Sequence, residues 1–465
     1  MDTRSDTTDL EKNGENGEKG ETATTYIYGE EEEMDAFEEL KGREEYTEFR
    51  TLGWYQASAL LLAETLALGV LSFPSLASNI GIVPTILATV GLAILAYFTG
   101  AILVDFKCAH PSVMSFADAG MVCGGPVFKW ALFVGIMVNA VFVAASHVNS
   151  GGTAFVQMSN NARCSVLLGF CMALLGFLFT IPRKFKHTSY ASFASCLSIV
   201  TACLITIIAC GVDREQWQDA SGNVPWKVFN NPGLAGTVNA ITNIVFAYGG
   251  HAAIFAFCSE MKKPADFKKS LAVVQVVSTS FYITIGVGVY ILVGDNNVAS
   301  PALSIVGGVV ETVAYAIAMI SIIVAGVLPA SVGLKQLWLE LFRGKPMLTS
   351  NSWKAQLIWT AMAFALWVLS WCIASLIPFF SDLLSIISSL TTLLFTYGLS
   401  GVFALTENKN QWFASKQKTF TTAIALLSIV LTAVIMPLGM YGAITGIEEG
   451  YNEGTYSHPF DCASG

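Results

Sequence analysis

From residue 52 onward, long apolar runs alternate with short polar breaks along the chain. A helix that crosses a bilayer needs about 20 mostly apolar residues, because each adds ~1.5 Å toward a hydrocarbon core of ~30 Å. Eleven stretches meet that requirement, near 52–77, 81–105, 127–149, 164–182, 188–211, 234–258, 268–293, 304–330, 355–377, 380–405 and 419–446. Strands of a membrane barrel would instead alternate apolar and polar residues in short segments. These runs are continuous, as in Ala423–Val434. The pattern predicts an all-α polytopic membrane protein with 11 transmembrane helices.

Composition agrees. Of 465 residues, 54% are hydrophobic and 13% charged, about half the charge of a typical soluble domain. The first 50 residues hold 17 acidic against 6 basic residues, so the formal net charge of −9 is concentrated there. This excludes a nucleic-acid binder, a coiled coil and a disulfide scaffold. Three parts follow: an acidic, disordered tail over 1–50, a transmembrane body over 51–446, and a short tail over 447–465. The first 50 residues contain no apolar core of a cleavable signal peptide.

Basic residues set the orientation. Sixteen of them, from Lys107 through Lys418, fall on the face shared with the N-terminus, and three (Arg163, Arg214 and Lys227) fall on the other. The N-terminus is therefore expected in the cytoplasm and the C-terminus outside or in a lumen. Cys164 and Cys462 are expected on that outer face, where they could be bridged. The ten cysteines form no Cys-x-x-Cys pair, which points away from a metal centre.

Two spans depart from a plain apolar helix. The first carries Glu64-Thr65-Leu66-Ala67-Leu68-Gly69-Val70 and the sixth carries Phe246-Ala247-Tyr248-Gly249-Gly250-His251. Glycine weakens a helix, and opened backbone is tolerated at membrane depth only where it is buried in protein or lines a cavity. Freed amides at a half-helix N-terminus suit a carboxylate, and freed carbonyls suit an ammonium or Na⁺. Interrupted helices five spans apart are what an inverted repeat produces. Both spans are therefore expected to be broken. No motif of a metalloprotease, α/β-hydrolase, P-loop or dinucleotide site occurs, so an enzyme is not expected.

The run Gly69-Val70-Leu71-Ser72-Phe73-Pro74, followed by Gly81-Ile82-Val83-Pro84, resembles the opening of the amino acid/auxin permease family. Phe246–His251, followed by Glu260-Met261-Lys262-Lys263-Pro264, resembles that family's sixth helix, with a likeness to its fungal neutral amino acid permeases. The resemblance covers about 50–446 and implies a LeuT-like 5+5 inverted repeat plus one extra helix, importing amino acids with a coupling cation. It implies that the amides of Leu68, Gly69 and Val70 meet the substrate carboxylate. The carbonyls of Phe246 and Ala247 would meet the amine, and Tyr248 would lie near the side chain. Thr65 and Gly249 belong to the same lining. This chain has Ala67-Leu68-Gly69 where the family often has Gly-x-Gly, so the first break rests on a single glycine.

Ionisable groups inside the spans are few, and each is a coupling candidate. They are Glu64 beside the proposed break, His251 after the glycine pair, and His147 in span three; Ser321 in span eight is a possible Na⁺ ligand. Asp105, Glu260, Glu311 and Asp382 fall near span ends and are expected at an interface. The likeness favours H⁺ over Na⁺, with no cofactor and no bound metal. No span interior offers an Arg for an anionic side chain, and Glu64 alone could meet a cationic one, so neutral L-amino acids are expected. The reading is a proton-coupled importer in the plasma membrane. A sensor on the same fold, a Na⁺-coupled carrier and a vacuolar carrier are the alternatives. An ion channel finds no filter motif here.

Overall fold

The structure, a computed structural model, describes residues 50–159, 163–219, 221–377, 379–454 and 458–462. The acidic tail read from the sequence lies outside the described residues, apart from Arg50. The apolar runs are helices: α1 spans Trp54–Ile80, α2 Ile82–Ala109, α3 Phe116–Met158, α4 Ser165–Thr180 and α5 Phe185–Val212. The sixth run is split into α6, Gly233–Ala247, and α7, Ile254–Glu260; α8 follows at Phe267–Val293, α9 at Gly308–Phe342 and α10 at Trp353–Leu376. The tenth is α11, Phe380–Ile387, and α12, Leu399–Glu407, joined by two π-helical stretches over 388–392 and 394–398. The last is α13, Lys416–Asn452. Ten of these eleven segments are long and apolar enough to cross a membrane. The exception is α4, whose 16 residues reach about 24 Å.

Four features differ from the sequence reading. The first span is not broken, because α1 runs unbroken through Gly69. Helix α3 starts at Phe116, where the Ser115 hydroxyl accepts the Asp118 amide at 3.2 Å as an N-cap, and the chain turns at Gly125 (φ 72°). Helix α9 continues to Phe342, so Lys335 stands within a helix rather than in a loop. Finally, α13 absorbs the first residues of the expected C-terminal tail, which then returns to α4 through a Cys164–Cys462 disulfide with Cα atoms 4.6 Å apart.

Most of α1 is buried, and the helix packs among α5, α6, α8 and α9. At one end, Leu52 donates its amide to the Glu260 carbonyl and accepts from Lys262, both at 2.9 Å, tying the start of α1 to the end of α7. At the other, the loop before α6 holds the α1–α2 corner: Asn230 donates its amide to Ile80 at 3.1 Å and its side chain to the Ser78 carbonyl at 3.0 Å. Asp295 closes that corner with Lys227 at 2.9 Å, the Tyr290 hydroxyl and Ser78 at 3.3 Å. Burial alone would raise the Asp295 carboxyl, but these donors outweigh it and hold the group below its usual range. By contrast α13, packed on α6, α11 and α12, leaves Leu426, Leu427, Val430 and Val434 exposed, as a lipid-facing helix does.

Candidate functional site

The site is built where α1 passes the gap between α6 and α7. Helix α6 ends at Ala247, and Tyr248 and Gly249 leave helical geometry with ψ near 12° and 8°. The gap is bridged by tighter bonds: the Tyr248 amide reaches Val245 at 3.1 Å and the Gly249 amide reaches Phe246 at 2.9 Å. A 3-10 turn over Gly250–Ala253 then leads into α7. Glycine is required for space as well. A Cβ on Gly249 would lie 2.7 Å from the Thr392 methyl of the π-helical stretch.

Gly69 faces this gap from α1. A Cβ there would lie 2.9 Å from the Cβ of Ala247 and 3.0 Å from its Cα, so the glycine lets two backbones approach without opening the helix. Its other neighbour is Tyr282 of α8, whose hydroxyl would lie 3.3 Å from such a Cβ.

Tyr282 joins α1 to the end of α6, and the sequence reading missed it. Its hydroxyl lies 2.7 Å from the Thr65 carbonyl of α1 and 2.8 Å from the Ala247 carbonyl that ends α6. One O–H can donate to only one of them at a time. The ring is fully buried, stacked on Phe73 at 4.5 Å and 15°, and set edge-on to Tyr248 at 5.5 Å. Tyr248 in turn is 2.9 Å from the Thr279 hydroxyl, one turn before Tyr282. The signal available in the sequence was the mid-span polar run Ser278-Thr279-Ser280-Phe281-Tyr282.

The structure thus brings together Thr65, Gly69, Ala247, Tyr248 and Gly249. Leu68 and Val70 are buried beside Gly69, with their amides inside the continuous helix, and Phe246 packs at the edge of the same core. The coupling candidates are dispersed. Glu64, next to Thr65, is half-buried with its Oε2 shielded and unpartnered. His251 turns to α2, its Nε2 lying 2.9 Å from the Ala96 carbonyl and 3.2 Å from Thr99. His147 bonds the Val143 carbonyl of its own helix at 2.8 Å. Ser321 accepts from Ser195 of α5 at 3.1 Å, a helix-packing contact.

Charged residues assigned to an interface divide. Asp105 is exposed and paired with Lys268 at 2.5 Å. Glu260, Glu311 and Asp382 are buried instead. Asp382 accepts from Asn239 at 3.0 Å in a cluster where Asn243 donates to Ser385 at 2.8 Å, fastening α6 to α11. Glu260 pairs with Lys335 and accepts the Phe185 amide at 3.2 Å. Among the described residues no group of three His, Cys, Asp or Glu side chains is placed to hold a metal ion.

Comparison with known proteins gives concordant results. The family model described as "Transmembrane amino acid transporter protein" matches residues 50–445. The chain is 30% identical to the "N amino acid transport system protein" of Neurospora crassa, over 91% of each chain. In structure it is similar to MhsT in complex with L-phenylalanine, with a TM-score of 0.55 at 13% identity, covering 86% of this chain and all of the other. It is also similar to MHP1, a nucleobase-cation-symport-1 family transporter in a closed conformation with bromovinylhydantoin bound. There the TM-score is 0.54 at 12% identity, covering 91% and 97% of the two chains. The fold is the LeuT-like one, a 5+5 inverted repeat with one further helix.

Proposed function

We propose, from the premise that this chain belongs to the transmembrane amino acid transporter family, that it imports neutral amino acids by proton symport with alternating access. The observation that carries the proposal is the pair of backbone carbonyls, Thr65 and Ala247, meeting at one hydroxyl beside the α6 break. An α-ammonium carries three donors where the Tyr282 hydroxyl carries one. It can therefore serve both carbonyls at once, which a single O–H cannot.

The carboxylate needs donors. In a continuous helix the Gly69 amide is bonded to Thr65, and Tyr282 already reaches that same carbonyl. When the substrate takes the Gly69 amide, with those of Leu68 and Val70 around it, the Tyr282 hydroxyl leaves Thr65 satisfied. Opening α1 there then costs less than exposing an orphan carbonyl in the membrane. The side chain faces Phe73, Tyr248 and Tyr282, which suit an uncharged aliphatic or aromatic group.

Glu64 is the proton carrier in this reading: it adjoins Thr65 and has one oxygen unmatched, and a carboxyl at membrane depth can take up and release a single proton. His251, His147 and Ser321 have their contacts elsewhere and play supporting roles in packing. Two observations support placing the basic face in the cytoplasm and the opposite face at the cell exterior. Lysine and arginine crowd one side, and the Cys164–Cys462 bridge lies on the other, where disulfides persist.

Uptake of labelled leucine and phenylalanine into proteoliposomes tests this directly. Accumulation driven by an imposed proton gradient, and not by a Na⁺ gradient, is expected. Glu64→Gln should abolish that accumulation while leaving leucine–leucine exchange within about threefold. Accumulation driven by Na⁺ alone would overturn the proton assignment, and no uptake under either gradient would favour a sensor.

A further inference from the structure

Between α2 and α8 the outer surface of the helix bundle is indented by a groove with about 530 Å³ of open space. Its walls are apolar: Val90, Ile94, Tyr97 and Phe98 come from α2, and Val276 comes from α8. Val90, Ile94 and Val276 are exposed, so the groove opens toward lipid. Thr279 also lines it, with its hydroxyl 2.9 Å from that of Tyr248. The groove therefore backs onto the α6 break from the lipid side.

Of the three polar side chains on its α8 wall, two are matched. Thr279 meets Tyr248, and Ser280 donates to the Val276 carbonyl at 2.8 Å. Gln275 is the third. It is 7% exposed, and its Oε1 has no hydrogen-bond partner. A buried acceptor left unmatched is costly, above all at membrane depth. The terminal torsion of a glutamine is soft, so the amide can turn to meet a donor in the groove.

Depth constrains that donor. Gln275 lies eight residues beyond Phe267, the first residue of α8, or about 12 Å along the helix. A charged or zwitterionic headgroup is costly that far into hydrocarbon, and an acyl chain brings no donor. A second copy of the chain does not fill the space, because a two-fold contact here would set groove against groove. An apolar body with one hydroxyl meets both needs, since the hydroxyl donates and accepts. A rigid body also loses less freedom on entering than a flexible chain.

We propose that the α2–α8 groove is a binding site for a sterol, with its hydroxyl bonded to the Gln275 amide and its rings against Ile94, Tyr97 and Val276. The inference rests on the groove and not on transport, so it stands or falls apart from the proposed import of amino acids.

The test uses the full-length protein in phosphatidylcholine vesicles, with tritiated cholesterol for affinity and a diazirine-bearing cholesterol for mapping. Wild type should bind one cholesterol per chain saturably. Photolabel should fall within 90–98 and 272–280, the segments that form the groove, and unlabelled cholesterol should protect them. Gln275→Leu removes the amide and keeps the bulk; it should weaken binding about tenfold, the loss expected for one buried hydrogen bond. Cholesterol methyl ether, which cannot donate, should compete about tenfold less well than cholesterol on wild type and equally well on the variant. In vesicles without sterol, Gln275→Leu should melt no lower than wild type, because it removes an unmatched acceptor. Equal affinity in wild type and Gln275→Leu, or unprotected label spread over other lipid-facing helices such as α13, would overturn the site and leave a groove filled by acyl chains. A lower melting temperature for the variant without sterol would also overturn it, by showing that the amide is already satisfied within the protein.

Discussion

Helix α1 and the α6–α7 segment occupy corresponding places in the two halves of the fold, and both carry glycine at mid-span, yet only one is interrupted. In α1 the glycine is single, flanked by Leu68 and Val70, and the helix passes through it intact. In the sixth segment Tyr248, Gly249 and Gly250 fall together, and the chain leaves the helix. The energies explain the difference. One glycine weakens a helix by about 1 kcal/mol relative to alanine, whereas an unmatched backbone group in a bilayer costs several. A lone glycine cannot open a membrane helix by itself. The sixth segment opens because its freed amides find nearer carbonyls, Val245 and Phe246, at 3.1 and 2.9 Å. In α1 the glycine is spent on closeness, its missing side chain leaving room for Ala247.

The sharpest way to break this comparison is to fill that space. Gly69→Leu should reduce leucine uptake at least a hundredfold while the protein still reaches the membrane, since the new side chain collides with Ala247 and with the Tyr282 hydroxyl. Surface labelling alongside uptake separates lost transport from lost folding; normal uptake would show that α1 and α6 need not touch here.

A smaller change addresses the joint between the two helices. Tyr282→Phe removes the hydroxyl shared by Thr65 and Ala247 and keeps the ring stacked on Phe73. Uptake should fall about tenfold, mostly through a raised half-saturation concentration, as expected for the loss of one buried hydrogen bond in the binding step. Initial rates across a range of leucine concentrations decide it.

The mildest test loosens the α1–α2 corner alone. Asp295→Asn should lower thermal stability by less than about 1 kcal/mol, because its Lys227 partner is half exposed. The pH sign follows from the depressed carboxyl. Its stabilisation is present above the ordinary carboxylate range and is lost as pH falls through the lower folded value. Melting curves of wild type and variant in detergent should therefore converge in acid and separate toward neutrality.

Much of this was legible in the chain. Apolar runs gave every spanning segment, and Tyr248-Gly249-Gly250 marked the sixth break, because hydropathy and glycine clustering are local properties. The state of α1 was not legible, since it depends on Ala247, a neighbour in space and not in sequence. Tyr282 was hidden for a related reason: a tyrosine within an apolar run looks like packing until the carbonyls around it are known. Lys335 was misplaced by hydropathy, which ends the run near 330, whereas α9 continues to Phe342 with Glu260 waiting on α7.

The bridge at Leu52 has a mechanical meaning. Its two hydrogen bonds, one to Glu260 and one from Lys262, flank a single residue. A pull along the chain from the acidic segment loads both together in shear, and they must yield at once. A sideways pull peels them one after the other and needs less force. Whatever grips the chain ahead of Leu52 thus holds a lever on the start of α1 and the end of α7 together, and the direction of its pull sets how readily the two come apart.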